Sequence, residues 1–138
     1  MQKKIHLFSL SLLLLVVFSS FTFRPSGSAI DPFRCDIAAQ NNTDQELTYI
    51  SWAPAKSRAV SFSNIAPSSS TTGTTLDYDT SEEVTILIYY KKVPAGAIAT
   101  VHAFGGIAAQ VPINPGVNQI ILPAPVITGG IVVYIDQP

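Results

Sequence analysis

The densest chemistry in the sequence is one acidic run, Asp77-Tyr78-Asp79-Thr80-Ser81-Glu82-Glu83. Clustered carboxylates offer hard oxygen donors, and calcium takes about 6–8 of them. Asp77 and Asp79 stand at the alternate-residue spacing that calcium loops use. With Glu82 and Glu83 they form the candidate metal set. The glycine that lets an EF-hand loop turn is absent. The plainer reading is a solvated connection whose charge keeps the following apolar strand soluble. Calcium is the single ion these residues offer, and no motif for an organic cofactor accompanies them.

Histidine is the next group to weigh. The chain has two, and only His102 lies beyond the N-terminal segment. It falls in an alternating stretch, with Ile98, Thr100 and Phe104 on its face. A general base or metal ligand needs partners, and no second histidine or spaced cysteine supplies them. Ser61, Ser63, Ser68, Ser69 and Ser70 are plentiful, yet none sits in a Gly-x-Ser-x-Gly elbow. A small secreted hydrolase using His102 is therefore the alternative reading, and the expectation is that the protein is not an enzyme.

Aromatic rings offer a third chemistry, stacking against sugars. Trp52 and Tyr78 are the ligand-binding candidates, with Tyr78 expected to stand exposed in its polar surroundings. Tyr49, Phe62, Tyr89, Tyr90 and Tyr134 complete the set. The competing role is core packing, which takes most strand aromatics. Asn41-Asn42-Thr43 is a formal N-glycosylation sequon in an expected turn. Lys91-Lys92 reads as a gatekeeper at a strand end.

Cys35 is the only cysteine, so it forms no internal disulfide. It is buried and inert, or it pairs between chains. Lipid attachment requires small residues immediately before the cysteine, and Pro32, Phe33 and Arg34 stand there instead. The reading is an unlipidated thiol on the first strand.

These residues must be carried by something, and the ends say where. Lys3 and Lys4 precede an apolar run from Ile5 to Phe18, the layout of a secretory signal peptide. The run is shorter than the roughly 20 residues of a bilayer span. Gly27 and Ala29 suit a cleavage site, which puts the signal at 1–29 and the domain at 30–138; a cut nearer Ser20 is the other option. Lys3, Lys4 and Arg24 leave with the signal and no acid does, which takes the net charge from −1 to −4. A mildly acidic domain is not a nucleic-acid binder and does not cling to anionic membrane surfaces. After cleavage nothing would insert in a membrane, and the expected site of action is the periplasm, the cell surface or the medium.

The domain alternates with period two almost throughout. Strands are expected at 34–40, 46–53, 58–64, 74–78, 84–91, 97–104, 107–113, 117–122 and 131–136. Turn signals separate them: Asn41 to Gln45, the small polar loop 66–73, Pro94-Ala95-Gly96, Gly105-Gly106, Asn114-Pro115-Gly116 and Gly129-Gly130. Residues 84–91 are apolar on both faces, as a central strand would be. Eight or nine short strands without a helical period predict an all-β fold, a single antiparallel β-sandwich. The layout resembles the immunoglobulin-like and transthyretin-like sandwich domains of secreted bacterial proteins. Those folds host many functions. The expectation is an exported, non-enzymatic binding or surface-structural domain for a protein or glycan ligand. A self-assembling envelope subunit, pairing through an edge strand or a Cys35–Cys35 bridge, is the further alternative.

Overall fold

Val84, Ile86 and Ile88 alternate with Thr85, Leu87 and Tyr89, and this period suits β6 (Val84–Tyr89) to its place as an inner strand of a four-stranded sheet. Its inward residues are buried and its outward ones half-buried. The same alternation sets the other strands of the computed structural model, which describes residues 33–79, 81–124 and 129–138. These are β1 (Phe33–Asn42), β2 (Leu47–Pro54), β3 (Val60–Ile65), β4 (Ser69–Ser70), β5 (Thr74–Tyr78), β7 (Ile98–Ala103), β8 (Gly106–Pro112), β9 (Val117–Leu122) and β10 (Gly130–Asp136). No helix occurs among the described residues, and so none there is long and apolar enough to cross a membrane.

The strands form two sheets. Sheet I runs β4-β1-β10-β7-β8, with β5 also paired to β1; sheet II runs β3-β2-β6-β9. One apolar core lies between them. Cys35, Ile37, Leu76, Tyr78, Val101, Ile131 and Val133 enter it from sheet I, and Ile50, Trp52, Ile86, Ile88, Ile120 and Leu122 from sheet II. Trp52 meets Phe62 edge-to-face, with centroids 6.1 Å apart. Two mostly antiparallel sheets around a shared core have the form of a β-sandwich.

Three features differ from the expectation. The pairing is not wholly antiparallel: β1 and β10, the first and last strands, run parallel from Asp36↔Gly130 to Asn42↔Asp136. A parallel pair needs a long crossover, and the whole intervening chain provides it. Gly130 opens this register with its Cα side against Asp36; a Cβ there would stand 3.0 Å from the Asp36 carbonyl oxygen. The loop 66–73 hides a short strand, β4, which pairs with β1 at Gln40↔Ser70 and Asn41↔Ser69. Two residues at positive φ, Asn64 and Ser68, steer the chain back to that edge. Finally, the β7–β8 turn is Phe104-Gly105 and not Gly105-Gly106. Ala103 pairs with Gly106, and both turn residues have positive φ, 57° and 76°, as a two-residue primed turn requires. Gly116, at φ 91°, fits the expected Asn-Pro-Gly turn.

Candidate functional site

The acidic run does not converge. On β5, Leu76 and Tyr78 face the core, which turns Asp77 outward. There its Oδ1 receives the Arg34 Nε–H from β1 at 3.1 Å. Both side chains are well exposed, and such pairs contribute little to stability. Asp79 turns back on its own loop and accepts the Ser81 amide at 2.9 Å. That backbone bond leads the effects that hold its carboxyl below the usual range. Glu82 folds inward, is 4 % exposed, and accepts the Ser57 hydroxyl at 3.1 Å through Oε1. Its Oε2 is buried without a partner among the described residues. Glu83 is exposed. Among the described residues no three acids, histidines or cysteines come close enough to hold a metal ion.

Trp52 and Tyr78 take the core role. Each is 0 % exposed, so neither presents a face to a ligand. Tyr78 was expected at the surface because its sequence neighbours are polar. Strand alternation overrides that: Asp77 and Asp79 are exposed while Tyr78 between them is buried. Burial, and after it the nearby Cys35, pushes the Tyr78 phenol up to about 12. Cys35 lies on the same core face of β1, 1 % exposed. Burial, then the charge of Asp36, raises its thiol to about 11. A Cys35–Cys35 bridge would require β1 to leave its sheet.

His102 is exposed on the outer face of sheet I. It stacks edge-to-face on Tyr134 at 5.1 Å. It lines a shallow groove of about 360 Å³ with Ala103, Gly105, Gly106, Gly129, Gly130 and Val132. None of these described lining residues carries a carboxylate or a hydroxyl to work with the imidazole.

The sequon asparagine is structural. Asn41 is fully buried. Its Nδ2 donates to the carbonyls of Gln45, Ile65 and Ala66 at 2.8, 3.1 and 3.2 Å. Its Oδ1 accepts the Tyr90 and Thr43 hydroxyls at 2.7 and 2.8 Å. A glycan on Nδ2 would displace bonds that tie the end of β1 to the end of β3.

What remains is a face. The four strands of sheet II contain no Asp, Glu, Lys or Arg. Sheet I carries Arg34, Asp36, Asp77 and Asp136 at exposed positions. The register of sheet II lines up three outward rows: Tyr49–Tyr89–Val117, Ser51–Leu87–Gln119 and Ala53–Thr85–Ile121. Tyr49, Leu87 and Tyr89 are half-buried, so part of each stays open to solvent. Val117 and Ile121 are 66 % and 52 % exposed. The result is an uncharged surface that mixes apolar side chains with neutral polar ones, Ser61, Ser63, Thr85 and Gln119 among them, and carries two phenols on adjacent strands. Sequence reasoning had both tyrosines among the aromatics and missed their pairing, which is a property of register. One signal was in reach: the segments 47–54, 60–65, 84–89 and 117–122 hold no Asp, Glu, Lys or Arg.

No protein-family model, no curated protein and no solved structure matches the chain.

Proposed function

We propose that the protein is an exported, non-enzymatic sandwich domain of immunoglobulin-like or transthyretin-like type that binds its ligand on the outer face of sheet II. The signal-like N-terminus supports export to the periplasm, the cell surface or the medium. The two-sheet arrangement, with first and last strands adjacent, supports the sandwich type. The carrying observation is the uncharged face with Tyr49 and Tyr89 in register across β2 and β6. Half-open phenols on a neutral surface suit a neutral glycan: sugar rings stack on them by their apolar faces, and the phenol hydroxyls hydrogen-bond at the rim. A charged ligand would find no counter-charge there.

The test is amide-resolved NMR of the purified protein titrated with neutral oligosaccharides. Shift changes on β2, β6 and β9 that vanish in the Tyr49→Ala/Tyr89→Ala variant and persist in His102→Ala are the expected result. Changes confined to the His102 groove, or a response that the double variant retains in full, would overturn the reading.

A further inference from the structure

We propose that the protein pairs with a second copy of itself through β9, edge to edge and antiparallel, so that two copies of sheet II join into one continuous sheet. Sheet edges expose unpaired backbone groups, and proteins blunt them with charges, prolines, bulges or very short strands. Three edges here are blunted. The β4/β5 edge is broken at residues 71–73 and carries the Arg34–Asp77 pair. The β8 edge has a register shift opposite Val101/His102 and ends on Pro112. The β3 edge bends at Asn64, at φ 55°, and follows the exposed Lys56 and Arg58. β9 has none of these devices within the strand itself, and Pro115 and Pro123 stand just outside its two ends. Its register with β6 is unbroken from Val84↔Leu122 to Tyr89↔Val117. It holds no charge and no proline, and among the described strands β6 is the one hydrogen-bonded to it, although β8 also approaches it.

The sequence of β9 also specifies its occupant. Residues opposite one another in an antiparallel pair share a face, so a self-pairing must match outward residues with outward residues. Centring the two-fold axis on Gln119 does this. Val117 then faces Ile121 of the second copy, Ile121 faces its Val117, and the two Gln119 side chains meet at the axis. The two exposed apolar residues of β9 become cross-strand partners. The match in charge is complete, because neither edge has any. An edge bearing even one charge near the axis would oppose itself. This proposal rests on sheet II as the interaction surface and names the partner that its edge takes. Its consequence is a doubled face, with two Tyr49–Tyr89 pairs on one sheet, which raises the avidity for a repeating glycan without a new contact.

Sedimentation equilibrium of the purified chain tests it. The parent should associate reversibly to twice its mass. Gln119→Lys and Gln119→Glu should each remain monomeric over the concentration range in which the parent pairs, and an equimolar mixture of the two should recover the dimer. Ser63→Lys, on the β3 edge, should pair like the parent. Circular dichroism identical to the parent's shows that the position 119 variants are folded. A monomeric parent, variants that still pair, or a mixture that stays monomeric would each overturn the proposal. The two readings fail separately: glycan shifts on sheet II in a strictly monomeric protein would leave the face and remove the edge, whereas a Gln119-dependent dimer that ignores every glycan would do the reverse.

Discussion

Asn41 makes five hydrogen bonds from a site with no solvent exposure, and its neighbour Asn42 makes one at the surface, to Asp136 at 2.7 Å. Replacing Asn41 by Ala takes the acceptor from the buried Tyr90 hydroxyl and the amide donor from the buried Ile65 carbonyl, while Thr43 still bonds the Gln45 carbonyl at 3.0 Å. Each buried orphan costs about 1–3 kcal/mol, part of which relaxation recovers, so Asn41→Ala should lose about 3 kcal/mol in urea unfolding. Asn42→Ala should lose about 0.5 kcal/mol or less. Equal effects would mean that the buried network contributes nothing. Phe104 gives the opposite sign. It is an exposed phenylalanine at φ 57°, where a Cβ costs about 1–2 kcal/mol and asparagine is better tolerated. Phe104→Asn should therefore raise stability by about 0.5–1 kcal/mol, and a loss would show that the ring makes a contact worth its strain. Neither residue was legible in advance. The Asn-x-Thr pattern is the same whether its amide is buried or free, and the Gly105-Gly106 pair drew attention away from the residue before it.

At the scale of elements, most strands could be read because period two needs no tertiary information. β2, β6, β9 and β10 lie within a residue or two of their expected bounds. The misses share a cause. β4, the parallel β1–β10 pair and the Tyr49–Tyr89 register all depend on residues distant in sequence. Side-chain alternation says which way a residue points and not what it points beside. The same limit applies to the candidate site: the alternation of β2 separates Tyr49 from Trp52, but only the register shows that Tyr49 has a second ring beside it. The parallel pair itself makes a testable demand. A Cβ on Gly130 would press on the Asp36 carbonyl at 3.0 Å, whereas one on Gly129 meets nothing within 4 Å. Gly130→Ala should cost about 1–3 kcal/mol, the usual range for forced overpacking, with amide exchange accelerated along β1 and β10. Gly129→Ala should be close to neutral. Equal stability of the two variants would argue against this close approach of the first and last strands.

For the whole molecule, the apolar core holds three weak acids that prefer to stay protonated, Cys35, Tyr78 and Tyr90. Burial, with Asp36 adding to it, raises Cys35 from 9.0 to about 11. Burial raises Tyr78 from 10.0 to about 12, with Cys35 adding to it. Burial likewise raises Tyr90 to about 12, opposed in part by the neighbouring Thr43 hydroxyl. The sign follows from proton counts. Below pH 9.0 both folded and unfolded chains hold all three protons, and these groups give stability no pH dependence. Above it the unfolded chain releases the thiol proton first and the folded chain keeps it, so unfolding draws in base and stability falls as pH rises. From 10.0 upward the two phenols steepen the fall. The urea midpoint should be level from neutral pH to about 9 and then decline without a plateau to about 11. Cys35→Ala removes the first of the three and should move the onset of the decline toward 10, at the cost of a lower midpoint at neutral pH from the lost packing. The same burial predicts that iodoacetamide leaves the native thiol untouched and modifies it once the chain is unfolded. A midpoint that stays level through pH 11, together with rapid native alkylation, would mean that β1 does not hold Cys35 in the core. The sandwich would then have an open edge at its first strand, where sheet I now closes against its last.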